Sequence, residues 1–240
     1  MKLLSAALLG VLALQACSAP VNKLVVLVDP HWPPMEFLDD TKNPAGYDID
    51  LIKALAGEAG FSPEFRSVPW EDLFLALEQG GDVIASSVVI NPARQARYGF
   101  SAPYLNAGQV LVVPKASGVH QLSDLQGRLV GVQTGTPGAE VVAKTLGYSK
   151  VFNVAAKAFE DLAAGRLAGV VVEGPMAARY TSRGSRFAGA FKIVGRPLTE
   201  ENYGLVVTKG NGVVLAALNT ALARVKATGV LDELAARWLR

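Results

Sequence analysis

Ser86-Ser87-Val88-Val89-Ile90-Asn91-Pro92-Ala93-Arg94 follows an apolar run, DVIA, that begins at Asp82. The run predicts a buried strand over Asp82–Ser87. It empties into two hydroxyls, an Asn-Pro turn and one arginine. Exposed amides and hydroxyls at a strand end donate hydrogen bonds, and a guanidinium pairs bidentately with an anion, so the stretch is suited to holding a carboxylate. The plainer alternative is a strand end, a turn and a solvated arginine, and the surrounding pattern decides between them. Upstream, KLVVLV at Lys23–Val28 is short, apolar and β-branched and predicts a strand. Asp29-Pro30-His31-Trp32-Pro33-Pro34-Met35-Glu36-Phe37 follows, where the prolines predict a stiff loop without regular structure. A helix is predicted from Asp48, read as its cap, to Ala59, with Gly60 as its stop. A strand at Pro63–Val68 comes next, then a helix opening at Pro69-Trp70 and closed by Gly80-Gly81. The order βαβαβ predicts a parallel sheet covered by helices.

Beyond Arg94, Tyr98–Tyr104 reads as irregular and Gln109–Val113 as a strand, after which the same grammar repeats. Leu129–Val132 is a strand, Thr134-Gly135-Thr136-Pro137-Gly138 a turn and Ala139–Leu146 a helix. Val151–Val154, Phe159–Arg166 and Gly169–Val172 read as strand, helix and strand, with Glu173 at the last strand's end. A helix after Pro175, strands at Phe191–Val194 and Tyr203–Val207, and two amphipathic helices, Val213–Ala227 and Leu231–Leu239, complete the chain. Two such units without a long linker predict two lobes and a cleft between them. Ligands of open α/β sheets collect at the carboxyl ends of the strands, where Asp29, Ser86, Ser87, Thr134 and Glu173 stand.

Composition narrows the function classes. Of 240 residues half are hydrophobic and 18% charged, enough apolar material for a buried core and against disorder. A net charge of +2 without a basic run gives no footprint for nucleic acid. With two histidines far apart and one cysteine, neither a structural zinc site nor an internal disulfide is expected. No phosphate-binding Gly-Lys loop and no nucleophile–base pair is legible, and no cofactor is expected. The leader is informative: Met1-Lys2 precedes an apolar run from Leu3 to Leu14, too short to span a bilayer comfortably. It ends Leu14-Gln15-Ala16-Cys17, like a bacterial lipobox, with Cys17 as the lipid-bearing residue after removal of 1–16. The competing reading is an ordinary secretory cut near Ala16 or Ala19, and Pro20 argues against the latter. Both predict export, to the periplasm or cell surface.

Taken in order, VDPHWPPMEF, GYDIDLIKAL, VPWEDLFLAL, SSVVINPAR running to FSAPY, GVQTGTPGAE, AGRLAGVVVEGP and YGLVV resemble the extracellular solute-binding proteins, family 3, of polar amino-acid ABC importers. The likeness spans nearly the whole chain after the leader. It implies the two-lobed periplasmic-binding-protein type II fold, with 17–106 and 201–240 in the first lobe and 107–200 in the second. It implies a monomer that delivers an amino acid or analogue to membrane permease subunits, closing about crossings near Leu105–Ala107 and Thr199–Tyr203. By this resemblance Arg94 holds the ligand α-carboxylate and Ser86 and Ser87 serve the α-ammonium. The Thr134-Gly135-Thr136 turn adds donors from the second lobe, and Glu173 pairs with the ammonium. Trp32 and Trp70 flank the ligand side chain, and Asp29 reaches its polar tip.

Three positions depart from the family pattern: Val89 replaces a hydroxyl residue, Pro137 a threonine that gives its amide and hydroxyl, and Glu173 a shorter aspartate. Asp29 and Glu173 against Arg94 leave the pocket near −1. That balance, with two tryptophans able to sandwich a cation at about 0.5–2 kcal/mol, favours a basic or amide amino acid, arginine-like first. The alternatives are a dehydratase-like enzyme using Glu173 as general acid, and a lipoprotein that senses its ligand rather than feeding an importer.

Overall fold

A computed structural model describes residues 23–182 and 184–239. The leader and Cys17 lie outside the described residues. The chain opens with β1 (Lys23–Val28), then a small antiparallel sheet of β2 (His31–Trp32), β3 (Glu36–Leu38) and β4 (Pro44–Ala45). α1 (Tyr47–Ala59), β5 (Ser62–Ser67), a 3₁₀ turn at Trp70–Asp72 running into α2 (Leu73–Glu78), and β6 (Val83–Ile84) follow. α3 (Pro92–Arg97) and β7 (Tyr98–Phe100) lead to β8 (Leu105–Asn106), the first crossing. The second unit holds β9 (Gln109–Pro114), β10 (Val130–Gln133), α4 (Pro137–Leu146) and β11 (Lys150–Phe152). It continues with α5 (Ala155–Ala163), β12 (Gly169–Glu173), α6 (Gly174–Thr181) and β13 (Phe191–Val194). The chain returns through β14 (Asn202–Tyr203) and ends with β15 (Val206–Thr208), α7 (Gly212–Ala227) and α8 (Val230–Trp238).

Two five-stranded sheets result, ordered β5-β1-β6-β15-β7 and β11-β10-β12-β9-β13. In each, the first three strands pair in parallel and the fourth, β15 or β9, runs against both its neighbours, so the sheets are mixed rather than wholly parallel. Period-two alternation explains how each sheet is covered on both faces. Leu24, Val26 and Val28 pack with Ile49, Ile52 and Leu218 of α1 and α7, while Leu27 turns to Leu73 and Leu77 of α2. In the second sheet Val110, Val112, Val170 and Val172 face Phe159 and Leu162 of α5, and Leu111, Val113 and Val171 face Val142 and Leu146 of α4. β8 and β14 pair antiparallel, Asn202 opposite Asn106 and Tyr203 opposite Leu105, as a ribbon between the sheets. A side chain at Gly108 would put its Cβ 1.9 Å from the Thr199 carbonyl, so only glycine lets the two crossings pass this closely.

Several local expectations give way. The proline loop is not irregular: Pro33 and Pro34 make only the turn, and His31 pairs with Phe37 and Trp32 with Glu36 beside it. Asp48 is not the cap of α1. Gly46 is, at φ +124°, because a Cβ there would lie 2.3 Å from the Met35 carbonyl that accepts the Asp48 amide. The strand expected to reach Ser87 stops pairing after Ile84, since Ser87 adopts a left-handed φ of 51° that turns the chain out of the sheet. Arg94 sits on a short helix capped by Asn91, not on an irregular turn. The single strand expected over Tyr203–Val207 divides into β14 in the ribbon and β15 in the first sheet.

Candidate functional site

The strand ends of the two sheets meet at a cavity of about 410 Å³. Asp29 follows β1, Ser86 and Ser87 follow β6, and Glu173 ends β12, so sheet topology alone delivers four of its polar groups. Trp32 on β2, Trp70 in the 3₁₀ turn and Arg94 on α3 complete the sequence-derived set that lines it. His31, Glu36, Val89 and Tyr203 line it as well. Trp70 is 40% exposed at the cavity mouth, whereas Trp32 also leans on the core of the first lobe.

Arg94 is held without being neutralised. Its Nη1 donates to the Val89 carbonyl at 3.0 Å, and its guanidinium lies 5.5 Å from the Trp70 ring centre and 5.7 Å from that of Phe74. It has no carboxylate partner among the described residues, and burial lowers its pKa from the usual value. A fork of donors fixed beside two rings and left without an anion is built to receive one.

The opposite wall is rich in acceptors. Asp29 Oδ1 takes a hydrogen bond from His31 Nδ1 at 2.5 Å, so this carboxylate shares the cavity with an imidazole. Glu173 accepts from the Tyr203 hydroxyl at 3.3 Å. Burial first, then nearby Glu201, raises its pKa, and the Tyr203 bond opposes them. Below the cavity Glu36 and Asp48 are almost completely buried. Ser86 Oγ donates to Glu36 Oε1 at 2.7 Å and the Ser87 amide to Asp48 Oδ2 at 2.7 Å, which fixes the left-handed turn at Ser87.

The second lobe contributes less. Thr134 turns back on its own sheet, its amide and its Oγ1 both donating to the Phe152 carbonyl at 2.9 and 3.2 Å. Thr136 Oγ1 donates to the Gln133 carbonyl at 2.8 Å and accepts the Ala139 amide, which makes it the cap of α4 rather than a free hydroxyl. Pro137 occupies the first position of that helix, where a missing amide costs nothing. Gly135, at φ +71°, shapes the turn. Thr134 and Gly135 do not line the large cavity, and Thr136 lines only an adjoining one of about 30 Å³ that shares Trp32 and Glu173 with it. Gln109 also lines this smaller cavity. Its Nε2 donates to Glu201 at 3.3 Å, leaving Oε1 buried without a hydrogen bond.

Two of the missed residues carried a legible signal. His31 stands two positions after Asp29, the spacing of side chains on one face of extended chain, and Glu36 is a lone acid inside an apolar run, MEFL. Tyr203 and Gln109 carried none, because only the crossing ribbon brings them to the site.

The sequence matches the family model of bacterial extracellular solute-binding proteins, family 3, over residues 24–240. It is 34% identical over 215 residues to a probable histidine-binding protein of Neisseria gonorrhoeae, covering 87% of this chain and 80% of that one. Over 245 residues it is 28% identical to the ABC transporter arginine-binding protein 1 of Escherichia coli (strain K12), covering 99% and 98%. Among solved structures, an ancestral cationic amino acid solute binding protein is similar at a TM-score of 0.79 and 32% identity, over 91% of this chain and 96% of that one.

Proposed function

The chain belongs to the bacterial extracellular solute-binding proteins, family 3, and from that premise we propose that it captures a small amino acid for an ABC importer. A basic or amide side chain is favoured. The observation that carries the reading is Arg94: a guanidinium inside the cavity, braced by Trp70 and Phe74, with no carboxylate of its own. The ligand α-carboxylate takes that place. Ser86, Ser87 and Glu173 receive the α-ammonium, and the side chain runs between Trp32 and Trp70 toward Asp29. That the named relatives are a probable histidine-binding protein and an arginine-binding protein supports a cationic side chain.

Capture proceeds by closure about the β8–β14 ribbon. Residues 17–106 and 201–240 move as one body against 107–200, and the Thr134-Gly135-Thr136 turn comes over the ligand. Among the described residues, the amides of Gly135 and Thr136 make no hydrogen bond, so both are available for the carboxylate. Closed protein then docks on the permease subunits, with Cys17 carrying the lipid anchor that keeps the exported protein, here read as a monomer, near them.

Calorimetric titration of the protein with arginine, histidine, lysine and glutamine tests the reading. Saturable one-to-one binding of a cationic amino acid, lost in Arg94→Ala, is the expected result. Absence of binding for all four overturns it. Heat that persists after saturation would instead mean turnover, with Glu173 as general acid.

A further inference from the structure

Among the described residues the two acids at the cavity floor are not paired with a cation, yet both are buried: Glu36 is 1% exposed and Asp48 0%. Such groups keep a proton or find donors. Here they do both. Their carboxyl groups face each other, and burial together with mutual repulsion raises the pKa of Glu36 well above its usual value, while burial pushes Asp48 up to about 6. Asp48 Oδ1 and the Tyr104 hydroxyl that faces Asp48 are both buried without another hydrogen-bond partner, so that side of Asp48 turns to Tyr104 and away from the cavity. The remaining oxygens are acceptors. Glu36 Oε1 takes the Ser86 hydroxyl at 2.7 Å, and Asp48 Oδ2 takes both the Ser87 amide at 2.7 Å and the Ser87 hydroxyl at 3.1 Å.

A serine hydroxyl has one proton and normally rotates to suit whatever it meets. These two have no such freedom, because both protons are committed inward. Ser86 Oγ also accepts the Asp29 amide at 3.0 Å and keeps one lone pair, and Ser87 Oγ keeps two. What the serine side chains turn toward the cavity is therefore oxygen lone pairs alone, in line with the carboxylates of Asp29 and Glu173. Arg94 supplies donors at one end, and the floor supplies acceptors at the other.

We infer that Glu36 and Asp48 are positioning residues that turn the Ser86 and Ser87 hydroxyl protons inward, so that the cavity floor selects an amine over a ligand lacking one. This inference rests on the reading of the cavity as an α-amino acid site and names the device that makes it so. Glu36 reaches the cavity wall and Asp48 does not line it, and both act on the ligand through the serine hydroxyls they hold. Remove the inward acceptor and the Ser86 proton is free to face outward, where it repels an ammonium and welcomes an oxygen.

The test compares arginine with 5-guanidinopentanoate, the same molecule without its α-amine, by calorimetry on the full protein. The wild type is expected to prefer arginine by about a hundredfold, the worth of two charge-assisted hydrogen bonds. Glu36→Gln keeps an oxygen facing Ser86 and an N–H facing Asp48, and retains that preference. Glu36→Met, of similar volume, loses most of it, bringing the ratio to about tenfold or less, with the affinity for 5-guanidinopentanoate unchanged. If Glu36→Met weakens both ligands by the same factor, the role is merely structural and the inference falls. It falls equally if Glu36→Gln behaves like Glu36→Met. Proton NMR of the empty wild type gives a readout that needs neither variant nor ligand: a slowly exchanging Ser86 hydroxyl proton, bonded to the Glu36 carboxyl, is expected, and a freely exchanging one overturns the inference. Failure of arginine to bind the wild type counts against the functional reading alone, and the NMR result still decides this one.

Discussion

The two lobes repeat one architecture and put it to different uses. Each is a five-stranded mixed sheet of similar order, and in each a hydroxyl-bearing segment follows a central strand. In the first lobe that segment, Ser86-Ser87, is fixed from below by two buried acids and opens on a cavity with an unpaired arginine. In the second, the hydroxyls of Thr134 and Thr136 are turned back to the lobe's own backbone, one on Phe152 and one capping α4. The strand end is thus only a location. Whether it binds depends on what satisfies its hydroxyls: when the interior does so from below, oxygens are aimed outward, and when the lobe's own turn does so, nothing is left over. On the function proposed above, the first lobe grips and the second covers.

Substitutions sharpen or break this contrast. Arg94→Ala has the largest expected effect, a loss of about a hundredfold or more in affinity for the preferred amino acid, because a charge-assisted pair vanishes from a partly desolvated site. The melting temperature of the empty protein should stay within about 2 °C, since the Arg94 side chain makes one hydrogen bond and no ion pair among the described residues. Unchanged binding in this variant would reverse the assignment of roles. Glu173→Gln, on the covering side, should cost roughly tenfold. It also carries a pH signature. Burial and Glu201 raise the Glu173 pKa, and an ammonium needs the carboxylate ionised, so wild-type affinity falls as pH drops through that raised value and the variant's does not. In the empty protein the sign is opposite. A raised folded pKa means that the folded chain holds the proton more tightly, so the stability contribution is complete at acid pH and lost as pH rises through the folded value. Above it, Glu173→Gln should melt higher than the wild type, as differential scanning calorimetry can read. The smallest effect is expected at Thr136→Ala: less than about threefold in affinity, with a loss of about 1 kcal/mol of stability from the cap of α4. A binding loss at Thr136 larger than that at Arg94 would dissolve the contrast.

Much of this was legible in the sequence for a definite reason. Hydrophobic period and glycine–proline punctuation report local structure, and strand ends in an α/β chain report the cleft, which is how Asp29, Ser86, Ser87 and Glu173 could be placed together. What escaped was non-local. Asp48 has the sequence of a helix cap, and only the contact with Ser87, 39 residues on, assigns it another task. Glu36 stood in a stretch that prolines made look irregular, while the short pairing of β2 with β3 is what points it under Ser86. Thr134 and Thr136 failed in the other direction, since nothing local indicates that a strand end's hydroxyls are already consumed by Phe152 and by α4.

The place of β15 in the first sheet has a consequence for how the molecule comes into being. Residues 206–208 lie between β6 and β7, and Ile90 and Gly204 exchange backbone hydrogen bonds with Asn202 and Val88, so the segment that grips is stitched to chain more than a hundred residues later. The second lobe's sheet has all five of its strands by residue 194, and Leu198 and Thr199, a few residues on, add hydrogen bonds to its strand β9. During synthesis the covering half can therefore fold while the gripping half is still missing a central strand. A chain cut short before Val206 lacks the strand that joins β6 to β7 and cannot build the gripping wall. The topology makes the proposed ligand capture conditional on synthesis having passed Thr208.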